Sequence, residues 1–125
     1  MTERLLEGRR VLIVEDQYLI AEEMRRAVLA LGGEVVGPCP TIEAAMETLK
    51  ETAVQFALLD VNVQGEEVAR VTDELAARGV PFAFATGYDQ WAIPPQHQDR
   101  VRIEKPVTRE ALRKAVEQAL PARGR

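Results

Sequence analysis

Hydrophobic residues follow two rhythms along this chain. Val11-Leu12-Ile13-Val14, the run from 54 to 59 (Val-Gln-Phe-Ala-Leu-Leu) and Phe82-Ala83-Phe84-Ala85 are short and nearly unbroken. An apolar run without alternation predicts a strand covered on both faces, as in a parallel sheet. Between these runs, apolar positions recur at helical spacing. Ile20, Met24, Ala27, Val28 and Leu31 predict a helix over residues 17–31, stopped by Gly32-Gly33. Ile42, Ala45, Met46 and Leu49 predict a second helix, capped by Thr41. Val68, Val71 and Leu75 predict a third, ending at Gly79, and Leu112, Val116 and Leu120 a last one, capped by Thr108.

Two further strands complete the pattern. Residues 34–37 read as a strand closed by Pro38 and Pro40, and residues 101–103 as the final one. Asp60 leads into a polar loop through Gly65. Over residues 87–100, Pro94-Pro95 forbids a long helix, because each proline lacks a donor and restricts its predecessor. At most one turn fits there, near residues 89–92. The order is strand then helix, five times, with one defective helix. Right-handed crossovers then give an α/β fold with a five-stranded parallel sheet and helices on both faces.

Composition narrows the class. The 125 residues are 46% hydrophobic and 29% charged, as in one ordinary globular domain, and no linker or repeat interrupts them. One domain spanning 1–125, with its core over about residues 9–120, is expected; nothing after Leu120 is long enough for an output domain. A single cysteine, Cys39, forms no internal disulfide and is assigned no chemistry. No apolar stretch suits a signal peptide or a membrane span, so the expected setting is cytoplasmic without membrane insertion. A net charge of −4 argues against nucleic acid as a partner, and Arg9-Arg10, Arg25-Arg26 and the terminal arginines read as solvated ends and a wet helix face.

Candidate chemistry collects where strands end. Glu15-Asp16, Asp60, Thr86-Gly87 and Lys105-Pro106 each lie at or just beyond the C-terminal end of an apolar run. In an open α/β sheet those ends share one edge. Three acids crowded there repel one another unless a cation joins them, and an oxygen-only set suits Mg²⁺. A carboxylate such as Asp60 beside a metal can attack phosphorus. Asn62 is near enough to lend a backbone carbonyl, Thr86 a hydroxyl and Lys105 a point charge, while Gly87 leaves room for a phosphoryl oxygen. Singly, each has a plainer explanation: acids opening a helix, an Asx-turn, a Thr-Gly turn, a solvated lysine. His97, among Pro, Gln and Asp in an expected loop, is given no phosphotransfer or metal role. Tyr88 and Trp91 read equally as half-buried packing or as parts of a switch.

Taken together in this order, Glu15-Asp16 after VLIV, Asp60 after FALL, Thr86-Gly87 and Lys105-Pro106 resemble the response-regulator receiver domain over about residues 9–120. The resemblance implies a flavodoxin-like (CheY-like) sheet of order 2-1-3-4-5, with the fourth helix here short or irregular. It implies a stand-alone regulator phosphorylated on Asp60 by a sensor histidine kinase or histidine phosphotransfer protein. Asp16, Asp60 and the carbonyl of Asn62 would hold Mg²⁺, with Glu15 acting through water. Thr86 and Lys105 would grip the phosphoryl group, and the Lys105-Pro106 bond would be cis. An unknown downstream protein would read a changed binding surface; such a chain is a phosphoacceptor rather than an enzyme. One departure is Arg102, which stands where the family usually has its switching aromatic. The run Phe-Ala-Thr-Gly-Tyr, residues 84–88, is similar to a subset of receivers in which the aromatic follows the threonine, making Thr86 and Tyr88 the switch candidates. Two other readings are an unphosphorylated receiver-like adaptor and an aspartyl-nucleophile phosphatase. The latter usually carries a second acid two residues after the nucleophile, where this chain has Asn62.

Overall fold

Residues of the first apolar run part company in space: Val11 and Ile13 enter one hydrophobic core, Leu12 and Val14 another. Successive side chains of a strand point to opposite faces, so an all-apolar strand demands cover on both. The computed structural model, which describes residues 4–63, 66–87 and 90–120, supplies that cover with helices. Strands β1 (Arg10–Val14), β2 (Glu34–Cys39) and β3 (Phe56–Asp60) alternate with α1 (Tyr18–Ala30) and α2 (Ile42–Glu51). A short hairpin of β4 (Asn62–Val63) and β5 (Glu66–Glu67) precedes α3 (Ala69–Ala77). Then come β6 (Phe82–Thr86), two single 3₁₀ turns (Gln90–Ala92 and Pro95–His97), β7 (Arg102–Glu104) and α4 (Arg109–Ala119).

The main sheet runs β2-β1-β3-β6-β7 with every pair parallel. With the hairpin set aside, this is the expected order 2-1-3-4-5. Helices α1 and α4 pack together on the face of Val11 and Ile13, α2 and α3 on the other. The central strand β3 is buried at all five positions. Thr41 and Thr108 cap α2 and α4 as their sequence positions indicate, accepting from Ala44 N (2.9 Å) and Ala111 N (3.0 Å).

Several boundaries differ from the sequence reading, each for a physical reason. Strand β2 does not stop at Pro38 but runs through it to Cys39, because the chain bulges there: pairing steps from Leu12↔Val36 to Val14↔Cys39. Strand β3 begins at Phe56 rather than Val54, and takes Asp60 as its last residue. The stretch beyond Asp60 is a hairpin rather than a plain loop, with Val63 buried beneath it. Val68 is buried but caps α3 from outside. His97 lies in no open loop. It is 6% exposed, edge-on to Phe82 at 5.3 Å, with Nε2 3.0 Å from Asp73 Oδ1. Trp91 is the opposite case: it is 77% exposed rather than half-buried.

Candidate functional site

Each strand of the inner sheet delivers its polar residue by pairing. Asp60 sits opposite Ala85 at the end of β3, and Thr86 opposite Glu104 at the end of β6. The Glu15 amide, one residue past β1, donates to the Cys39 carbonyl at 3.0 Å, and the Lys105 amide, one past β7, to the Thr86 carbonyl at 2.7 Å. Backbone bonds therefore fix where the side chains start. Both the Lys105-Pro106 and the Gly37-Pro38 peptide bonds are cis.

The side chains converge. One carboxylate oxygen from each of Glu15, Asp16 and Asp60 lies within 4.8 Å of the others. Lys105 Nζ stands 3.2 Å from Asp60 Oδ1 and 3.3 Å from Glu15 Oε2. Asp60 Oδ1 also accepts from the Val61 amide at 2.9 Å, and Glu15 Oε1 from the Gln17 amide at 3.1 Å. Glu15 Oε2, though near the ammonium, is buried without an aligned hydrogen-bond donor. Thr86 is buried beside the cluster, whereas a Cβ added to the neighbouring Gly87 would meet nothing within 4 Å.

Charge is costly in such a place. Burial, then the charge of Asp60, pushes the Glu15 carboxyl up to about 7, against the opposing pull of the Gln17 amide and of Lys105. Burial alone would lower Lys105, yet the two facing carboxylates outweigh it and its pKa is raised. An acid whose Oε2 has no aligned donor, two further carboxylates within ligand distance and only oxygen atoms offered together fit a hard divalent cation.

The chain is 34% identical to SdrG from Sphingomonas melonis Fr1, whose solution structure matches over 90% of this chain and 94% of that one with a TM-score of 0.80. The REC domain of the Erythrobacter litoralis PhyR response regulator shares the fold at 22% identity, covering 93% and 96% of the two chains with a TM-score of 0.79. This chain belongs to the response-regulator receiver family. The BeF₃-activated conformation of SdrG from Pseudomonas melonis Fr1 also matches this receiver, at 35% identity over 86% of its length and 92% of that chain, with a TM-score of 0.72. Membership of this family and the match to a BeF₃-activated form are consistent with phosphorylation-dependent signalling. No protein-family model and no curated protein matches it.

Of the residues singled out in the sequence, the receiver fold brings Glu15, Asp16, Asp60 and Lys105 into one cluster, with Thr86 beside it. Asn62 opens β4 just beyond, and its Oδ1 is buried without a hydrogen-bond partner. Tyr88 lies outside the described residues. Arg102, in place of an aromatic, is exposed and donates through Nη2 to the Gln98 carbonyl (2.8 Å) and Oε1 (3.1 Å). Sequence reasoning missed three backbone groups that hold the acids: the Gln17 and Val61 amides, which donate to the carboxylates, and the Cys39 carbonyl, which accepts from the Glu15 amide. Main-chain partners leave no residue-type signature. The hairpin did leave one, since Val61 and Val63 alternate with polar residues ahead of a Gly-containing two-residue connection. Among the described residues, no helix is long and apolar enough to cross a membrane.

Proposed function

We propose that Asp60 is the phosphoacceptor of a Mg²⁺-dependent response regulator and takes its phosphoryl group from the phosphohistidine of a sensor histidine kinase or a histidine phosphotransfer protein. In the step, a carboxylate oxygen of Asp60 forms a bond to phosphorus while the phosphorus–nitrogen bond breaks. The imidazole keeps the electron pair and takes up a proton from water. The observation that carries the reading is the convergence of three carboxylates within 4.8 Å of one another, two of them paired with a single ammonium, at the ends of strands remote in sequence.

Asp16, Asp60 and the Asn62 carbonyl would hold Mg²⁺, with Glu15 acting through water; the bound ion supplies positive charge that offsets repulsion between the acids and the incoming phosphoryl oxygens. Lys105, already 3.2 Å from Asp60, turns its ammonium to a phosphoryl oxygen. The Thr86 hydroxyl donates to another, and Thr86 with Tyr88 remains the assigned switch pair. Glu15 keeps the Lys105 stem anchored by its ion pair at 3.3 Å. Output is a changed protein-binding surface that includes the segment of two 3₁₀ turns, which leads directly from β6.

The test is incubation with Mg²⁺ and a small phosphodonor such as acetyl phosphate, followed by intact-mass measurement. A phosphoryl mass gain in the wild type that is absent in Asp60→Asn and without Mg²⁺ supports the reading. Equal gain in Asp60→Asn sinks it.

A further inference from the structure

We propose that Gly37 is a positioning residue for the acidic cluster, acting through a bulge in β2 that carries the Cys39 carbonyl to the Glu15 amide. The inference rests on the Mg²⁺ reading of that cluster. Strands β1 and β2 pair in register from Arg10↔Glu34 to Leu12↔Val36, but the next pair is Val14↔Cys39. Two steps along β1 thus match three along β2. Continued without the bulge, the register would set Pro38 opposite Val14, and Cys39 would lose its place at the strand end.

Only glycine fits the turn that makes this shift. Gly37 has φ +101°, and a Cβ there would lie 2.7 Å from the Cys39 amide nitrogen and 3.1 Å from the Ile13 carbonyl oxygen. An L side chain is excluded by backbone conformation and by backbone contact at once. The following Pro38 has no N–H, so the displaced residue leaves no orphaned donor in the sheet.

The consequences run straight to the acids. Because a one-residue slip exchanges the two faces of a strand, the bulge is what turns the Cys39 side chain into the core, where it is 4% exposed with Sγ 3.5 Å from Thr48 Oγ1. It also sets the Cys39 carbonyl 3.0 Å from the Glu15 amide. Glu15 is then tied at both ends, its backbone by Cys39 and its Oε1 by the Gln17 amide, leaving Oε2 towards Lys105. Pro38 in the bulge and Pro40 beyond it wall a cavity of about 310 Å³ along with Glu15 and Asp16.

Gly37→Ala tests this against Gly33→Ala, whose Cβ would press Val28 and Leu6 at 2.8 and 3.1 Å in the core. Titration of each metal-free protein with MgCl₂, read by calorimetry, should show Gly37→Ala binding at least about tenfold more weakly than wild type, as loss of a ligand-orienting contact does. Gly33→Ala, although destabilised, should bind as wild type. Amide hydrogen exchange on the wild type provides a second measurement that needs no variant to fold, and the Glu15 amide should be protected with the β1 ladder. Wild-type Mg²⁺ affinity in Gly37→Ala, or an unprotected Glu15 amide, overturns the proposal. A wild type that binds no Mg²⁺ refutes the metal reading instead, with the amide still reporting on the bulge.

Discussion

In the acid cleft, Glu15 hangs from the Cys39 carbonyl, Asp60 takes its place by pairing opposite Ala85, and Lys105 hangs from the Thr86 carbonyl. The segment from residue 90 to 100 is built of two 3₁₀ turns and is tied down by side chains instead. His97 reaches Asp73 at 3.0 Å, Gln98 Nε2 reaches the Ile93 carbonyl at 2.8 Å, and the Arg100 guanidinium lies 4.3 Å from the Phe82 ring centroid. The contrast separates two kinds of mutation. Changing a side chain in the cleft alters charge while the ladder stands; changing one in the segment alters which backbone conformation is held.

The largest effect expected is from Lys105→Met. Removing the ammonium leaves Glu15 and Asp60 facing each other buried, and metal-free stability should fall by about 3 kcal/mol in denaturant melts. Added Mg²⁺ should restore most of it. No recovery with Mg²⁺ would break the idea that lysine and metal answer the same charge.

A pH titration of metal-free stability comes next. Because burial raises Glu15 from 4.5 to about 7, the folded state holds its proton more tightly than the unfolded chain does. Stability should therefore decline as pH rises from about 4.5 to about 7, by up to about 3 kcal/mol in total, and level off above. Glu15→Gln should flatten that decline, and saturating Mg²⁺ should oppose it. Thermal melts in chelator across this range decide the matter.

For the segment, His97→Ala removes a buried hydrogen bond and an edge-to-face ring contact, which together should cost about 2 kcal/mol. Amide exchange should quicken over residues 90–100 while Mg²⁺ affinity stays put. A changed affinity would show that the two regions are not independently held. The smallest effect belongs to Trp91→Ala, expected to shift stability by no more than about 0.5 kcal/mol because the ring is exposed.

How much of this was legible beforehand follows the same division. Strand order, helix faces and the cluster of Glu15, Asp16, Asp60 and Lys105 came from residue types at strand ends, since β1, β3 and β6 are written as apolar runs that permit little else. The β2 bulge was not legible: Pro38 reads as a terminator until the left-handed Gly37 shows how the strand passes through it. His97 was misplaced because its neighbours are polar, while its burial depends on Phe82 and Asp73, far away in sequence. For Trp91 only the packing alternative fails, for the converse reason: aromatic type suggests burial, and only the fold reveals that Ala92 and Ile93 take the inward positions.

On the Mg²⁺ reading proposed above, Lys105, wedged between two carboxylates, makes the resting receiver an ion exchanger. A divalent ion entering does not find bare negative charge; it competes with a counter-ion tethered to the same chain, whose local concentration never dilutes. Selectivity for two charges over one is thereby built in, because a monovalent newcomer gains nothing over the ammonium it would have to displace.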